Sequence, residues 1–370
     1  MNLEKDRIST TQMMILGFLL LIGDTALVYP TIMTTGAHED AWIAGLICIP
    51  LGLACIKLIV SASNIDPTKT IIELSLQGLG KWVGGAVALS YLFFFLLETS
   101  IYVREIEDFM CTQIYEGTPG GVIRSMAIIL LVYGLRLGLE TLGRAAQIFF
   151  PFFAFFLICL IVLLFPEAQI ERIYPILNTP LPDMLHTIMF GVFFPFGEMC
   201  VIFMVLPYVQ KKSNTSRNIL ISLLIGAVAL NLILFLSLTV LGAYFSEHEF
   251  YAAYILAQRI NIANFLQRIE ALMATTWIIS TYFKTVLFFH AFVLGTAQIL
   301  KLKSYRPLIF PVAFLIYGLS HLIAKNIIFY VKEVPPYWLN WEITNAFAFP
   351  LILLVVYHIR KRISHNNQLT

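Results

Sequence analysis

The chain has 370 residues, of which 59% are hydrophobic and 12% charged, and its mean hydropathy is +0.83. A composition this apolar excludes an ordinary soluble domain and places the chain among polytopic membrane proteins embedded in a lipid bilayer. The net charge of +2 gives no reason to expect a nucleic-acid partner.

Runs of about 20 apolar residues are long enough to cross a bilayer as helices. Ten occur, at 12–33, 39–61, 82–112, 122–137, 142–165, 184–208, 217–245, 268–300, 307–328 and 337–358. The first follows Glu4-Lys5-Asp6-Arg7 without a small-residue cleavage pattern, so it reads as a retained span and not a signal peptide. With the N-terminus inside, sixteen Lys and Arg residues fall on cytoplasmic segments and seven on outer ones. The positive-inside rule therefore predicts that both termini are cytoplasmic. The five cysteines, Cys48, Cys55, Cys111, Cys159 and Cys200, are odd in number and lack metal-type spacing, so they read as small core residues.

Span one carries an interruption at Ile22-Gly23-Asp24-Thr25, with Pro30 beyond it. Span six carries another in Phe190-Gly191-Val192-Phe193-Phe194-Pro195-Phe196-Gly197-Glu198-Met199-Cys200. There Pro195 should free carbonyls near Phe190 and Gly191, because proline lacks a donor and clashes with the preceding turn. Broken helices are tolerated in a membrane only where protein or a watery cavity satisfies the freed groups. Breaks at corresponding positions five helices apart predict two inverted five-helix repeats, about 12–165 and 184–358, within one transmembrane domain covering 1–370. A binding site is expected where the broken helices meet.

Segment 166–183, with four prolines, reads as an extended outer loop. Segment 246–267 suits either a short amphipathic helix on the outer surface or a solvated connector.

Charges inside spans are expensive, so Asp24, Glu98, Glu198, Lys284 and His290 become site hypotheses. Glu98 and Lys284 lie at similar depths and either pair across the bundle or share one polar cavity. Glu198 either satisfies the broken backbone beside Gly197 or meets the ligand, and Asp24 either caps a half-helix or does the same. His290 reads as an interhelical hydrogen-bonding residue. Arg104, Glu105, Glu107 and Asp108, at the outer end of span three, read as a solvated cluster or vestibule. No P-loop, dinucleotide glycine fingerprint, HExxH, GxSxG or clustered Cys/His set occurs, so no enzyme, metal or cofactor is expected.

Three stretches carry a family resemblance: Leu79-Gly80-Lys81-Trp82-Val83-Gly84, the Gly197-Glu198 step followed by Leu206-Pro207, and Arg268-Ile269-Glu270 with Trp277-Ile278-Ile279. With them the chain resembles, over essentially its whole length, the spore germination permease-like family, the B subunits of nutrient germinant receptors. The resemblance implies an all-α fold similar to amino acid permeases of the amino acid-polyamine-organocation superfamily, with helices one and six broken. It also implies binding of a small-molecule germinant, an amino acid or a sugar, in a complex with A and C subunits in the spore inner membrane. The ligand would lie among spans one, three, six and eight, a region that here holds Gly23, Asp24, Thr25, Phe94, Glu98, Phe196, Gly197, Glu198, Thr281 and Lys284. An amino acid would set its carboxylate at the amides of Gly23 to Thr25 and its ammonium at carbonyls from Phe194 to Gly197. Two other readings stay open: an ion-coupled amino acid permease, and a structural subunit with a vestigial pocket.

Overall fold

A computed structural model of the chain describes residues 6–259, 270–324, 329 and 335–366. Span one is two half-helices, α1 (Thr10–Ile22) and α2 (Thr25–Ala37), parted at Gly23 and Asp24. Ser9 starts α1 with a capping box: its hydroxyl accepts the Gln12 N–H at 3.1 Å, and its own N–H donates to Gln12 Oε1 at 2.7 Å. Gly23 ends the half-helix at φ +24°, ψ −130°, backbone that a side chain would strain.

The first five spans are completed by α3 (Ala41–Ser63), α4 (Ile71–Phe109), α5 (Gly120–Leu137) and α6 (Leu139–Leu164). The second five open with α7 (Leu181–Gly197), a 3-10 turn at Glu198–Val201 and α8 (Ile202–Val205). Then come α9 (Thr215–Val240), the short helices α10 (Ala243–His248) and α11 (Ala252–Gln258), and α12 (Glu270–Ile299). The chain continues with α13 (Ile309–Leu322), α14 (Pro335–Glu342), a π turn over Ile343–Ala348 and α15 (Phe349–Asn366). Among the described residues helices occupy all ten spans read from hydropathy, with the first and sixth broken; residues 268–269 of the eighth and 325–328 of the ninth lie outside them.

Some boundaries differ from expectation. The break in span six comes later than the proline predicts: α7 runs through Gly191 and Pro195 and leaves α geometry only at Glu198. Gly191 is needed for close approach instead, since a Cβ there would lie 2.7 Å from both Met33 Sδ and Cys48 Sγ. Helix α4 begins eleven residues before the predicted span, because Thr70 and Glu73 form a second capping box and Gly80, at φ +83°, turns this leading segment into the span. The 166–183 loop contains two 3-10 turns, Phe165–Glu167 and Ile170–Ile173. Helix α11 does not lie on the surface: Ala252, Ala253, Leu256 and Ala257 are buried against the bundle. The rest of that predicted segment, 260–267, lies outside the described residues.

Two contacts tie distant parts of the chain. On the face that carries the N-terminus, β1 (Ile8–Ser9) pairs in parallel with β2 (Val209–Gln210), and Arg7 Nη1 donates to the Pro207 carbonyl at 2.8 Å. At the opposite face, Asp40 in the turn between α2 and α3 accepts the N–H groups of Leu177 at 2.6 Å and of Asn178 and Thr179 at 2.9 Å. At the centre α12 packs on α4 and α1. The Phe288 ring meets Tyr102 and Phe95 edge-on, with centroids 5.3 and 5.9 Å apart.

Candidate ligand site at the broken helices

Splitting span one frees backbone carbonyls in the bundle interior, and α12 satisfies them. Ser280 Oγ donates to the Gly23 carbonyl at 3.1 Å, and Trp277 Nε1 donates to the Asp24 carbonyl at 3.3 Å. One turn beyond Ser280, Lys284 is fully buried and its ammonium binds both Asp24 Oδ1 and Glu198 Oε2. The two breaks are therefore joined through a cation supplied by span eight. Glu198 is held from its other oxygen by the Tyr102 hydroxyl, which donates at 2.8 Å, and the Lys284 ammonium stands 4.8 Å from the Tyr102 ring centroid. Asp24 makes no capping bond to α2.

Lys284 does not pair with Glu98, although the two lie at similar depths. Depth leaves azimuth undetermined, and Lys284 faces the breaks while Glu98 faces span ten. Glu98 Oε1 accepts the Trp338 indole N–H at 2.9 Å, and Phe94 stacks on the same indole with centroids 6.0 Å apart.

Glu342, at the end of α14, is a buried carboxylate absent from the sequence-based candidates. It packs over the span-six break, where a Cβ on Gly197 would approach its Cβ and Oε2 to 3.2 Å. Carboxylate oxygens of Glu98, Glu198 and Glu342 all lie within 4.8 Å of one another. Two charges at that spacing repel by about 3 kcal/mol at an effective dielectric constant of about 20.

The ten residues singled out in the sequence converge around this network. Thr25 and Thr281 are buried beside it, and among the described residues Thr25 Oγ1, Thr281 Oγ1 and Asp24 Oδ2 meet no hydrogen-bond partner. Phe196 fits into the notch left by Gly52 on α3. His290 lies further along α12 with its ring edge-on to Tyr305, centroids 5.3 Å apart.

None of the ten lines the adjoining cavity, which has a volume of about 270 Å³ and lies between α2 and α7. Val28, Ile32, Phe190, Phe194, Trp338 and Leu339 give it apolar walls, while Glu105, His186 and Glu342 supply its titratable groups. The network and the cavity meet at Trp338 and Glu342.

The neighbouring charges at the end of span three are not a solvated cluster. Arg124 Nε and Nη2 donate to the two oxygens of Glu107 at 2.7 and 2.8 Å, and the Arg124 guanidinium lies 5.0 Å from the Tyr317 ring centroid. Arg104 binds Asp108 at 2.9 Å and the Ala324 carbonyl at 2.9 Å. Arg104, Glu107 and Arg124 are all buried.

The sequence matches the family model described as spore germination protein over residues 7–329. The chain belongs to that family. It is 26% identical over 362 residues to spore germination protein KB of Bacillus subtilis (strain 168), covering 96% of this chain and 95% of the relative. It is 22% identical to spore germination protein GerLB of Bacillus cereus, with 92% of each chain covered. Among solved structures, MhsT in complex with L-phenylalanine superposes with a TM-score of 0.71 over 95% of this chain and 89% of its own, at 12% identity. That likeness establishes the amino acid permease-like fold of this multi-pass membrane protein.

Proposed function

We propose that this chain is the membrane subunit of a germinant receptor and that it binds a small nutrient germinant, an amino acid foremost, in the cavity between the broken helices. The observation that carries the reading is the cavity's construction: a largely apolar pocket of about 270 Å³ with two carboxylates in its lining, set directly on a buried charged network. An amino acid with an apolar side chain fits such an enclosure, its body against Phe190, Phe194 and Trp338 and its ammonium facing Glu105. Gly23, Asp24, Thr25, Phe94, Glu98, Phe196, Gly197, Glu198, Thr281 and Lys284 form the adjoining layer, which responds to the ligand through Trp338 and Glu342. Occupancy shifts the bundle between two states, to the extent that the ligand binds one of them more tightly. The A and C subunits receive that change, with the complex in the spore inner membrane and both termini of this chain cytoplasmic.

The test is germination of spores whose only receptor contains this subunit, across a panel of amino acids, sugars and nucleosides, in wild type and Val28→Trp. The bulky side chain fills the cavity from α2. A response to one ligand class that Val28→Trp abolishes at unchanged protein level is the expected result. An undiminished response removes the ligand from this cavity.

The buried carboxylates also give an ion-coupled amino acid permease a specific footing, since intramembrane acids are the usual proton carriers of such proteins. Uptake of labelled amino acid into proteoliposomes by this chain alone, dependent on pH, would favour that reading.

A further inference from the structure

Asp24, Glu98, Glu198 and Glu342 are buried carboxylates, and the buried Lys284 ammonium contacts two of them. Lys284 directs its charge to Asp24 and Glu198. Among the described residues no cationic side chain forms a salt bridge with Glu98 or Glu342. The donor that meets Glu98 is the neutral indole N–H of Trp338, at 2.9 Å. Glu342 is 1% exposed, and its Oε1 meets no hydrogen-bond donor among the described residues. An ionised carboxylate held this way in a bundle interior is strongly unfavourable without a counter-charge.

The arrangement supplies room for one. One oxygen from each of Glu98, Glu198 and Glu342 lies within 4.8 Å of the other two. Ca²⁺ takes carboxylate oxygens at about 2.3–2.6 Å, so opposite ligands on one ion stand about 5 Å apart. Three carboxylates and no sulfur or imidazole suit Ca²⁺ or Mn²⁺ over Zn²⁺ or Cu²⁺. Access exists as well, because Glu342 is also part of the cavity lining, which includes Glu105.

We infer that Glu98, Glu198 and Glu342 form a binding site for a hard divalent cation, which joins spans three, six and ten beside the break in span six. Glu198 then bridges two cations, the Lys284 ammonium through Oε2 and the metal ion, and couples the ion to the break in span one through Asp24. Span ten, which lies beyond the residues matched by the family model, supplies Glu342 and the Trp338 that orients Glu98. The site stands apart from the germinant proposal, because it needs neither a germinant nor the partner subunits.

The test is Mn²⁺ titration of the purified full-length chain in metal-free detergent buffer, followed by electron paramagnetic resonance, with thermal midpoints measured in Mn²⁺ and in Ca²⁺. Saturable Mn²⁺ binding is expected, with a midpoint that rises by several degrees in either ion. Glu342→Gln should weaken Mn²⁺ binding by more than about 10-fold and remove the rise. Glu116→Gln, at an exposed carboxylate, should bind like wild type. Glu98→Gln keeps an acceptor for Trp338 and should show the same loss, giving a second readout if Glu342→Gln does not fold. The inference fails if neither ion binds saturably, or if binding survives both substitutions. It also fails if the midpoint responds to pH or to phenylalanine amide and not to the metals, which would assign the site to a shared proton or to an organic ammonium.

Discussion

The Trp338 indole donates to Glu98 across 2.9 Å, tying span ten to the middle of span three while its ring faces the cavity. Trp338→Phe keeps an aromatic surface for Phe94 and removes the donor. The loss of a hydrogen bond to a buried carboxylate is expected to cost about 1–3 kcal/mol. Thermal unfolding in detergent should show that loss, and Glu98→Gln combined with Trp338→Phe should show less than the sum of the two single effects.

Lys284 is the counter-ion of both broken helices. Lys284→Met leaves Asp24 and Glu198 buried without their ammonium, a change expected to cost about 3–5 kcal/mol. Adding Asp24→Asn and Glu198→Gln should recover part of the loss, because both stranded charges are then gone. A triple variant as unstable as Lys284→Met would show that the ammonium contributes by packing alone.

Gly23 admits no side chain. Its φ of +24° is strained for any other residue, and a Cβ would collide with Lys284 Cδ. Gly23→Ala should therefore lower stability by about 1–3 kcal/mol and displace the Lys284 ammonium. Melting curves of Gly23→Ala in the wild-type and Lys284→Ala backgrounds separate the two effects, since alanine has no δ atom for the new Cβ to meet while the backbone strain remains.

Arg124 and Glu107 form a bidentate pair in a buried setting. Either single substitution, Arg124→Met or Glu107→Gln, should cost about 3–5 kcal/mol by stranding the partner. A double-mutant cycle should give a coupling at the upper end of the usual range of about 0.5–3 kcal/mol. Coupling near zero would instead fit a solvated pair.

Asp40 lies in the turn between α2 and α3 and receives three backbone N–H groups. Burial by itself would raise its carboxyl, but these donors outweigh it and hold the group below its ordinary value. A carboxylate whose folded value is depressed stabilises the fold above its unfolded value of about 3.9 and loses that contribution as pH falls through the lower folded value. Asp40→Asn should cost about 1.5–3 kcal/mol at neutral pH. It should also flatten the fall in thermal midpoint that wild type shows between roughly pH 4 and pH 2.

The spans and the break at Gly23 are legible in the sequence for one reason: a glycine beside an aspartate in an otherwise apolar run loosens the helix and sets a charge in the bilayer at the same point. Lys284 and Glu198 stand out because charge at mid-depth is costly. Their pairing does not, since depth along a helix says nothing about which way a side chain faces, and depth alone matches Lys284 to Glu98. Glu342 escapes because it lies close to the start of the predicted span 337–358, and near a span end a carboxylate is cheap. The helix turns it inward, over Gly197. The Glu107–Arg124 pair is hidden on the same ground, as both residues sit near span ends where solvation is the default. Sequence alone places the break in span six too early because proline is tolerated inside α7, whereas the departure from α geometry occurs at Glu198.

The parallel pairing of Ile8 with Val209 and Ser9 with Gln210 fastens the start of span one to the end of span six. With Arg7 bound to the Pro207 carbonyl, these two ends form one rigid hub. With these ends joined, any change of angle between α2 and α7 would have to turn about Gly23 and Glu198, like the arms of a pair of tongs whose rivet is the β1–β2 clamp. Cutting the rivet, by Ile8→Pro for example, would release the handles while leaving the jaws intact.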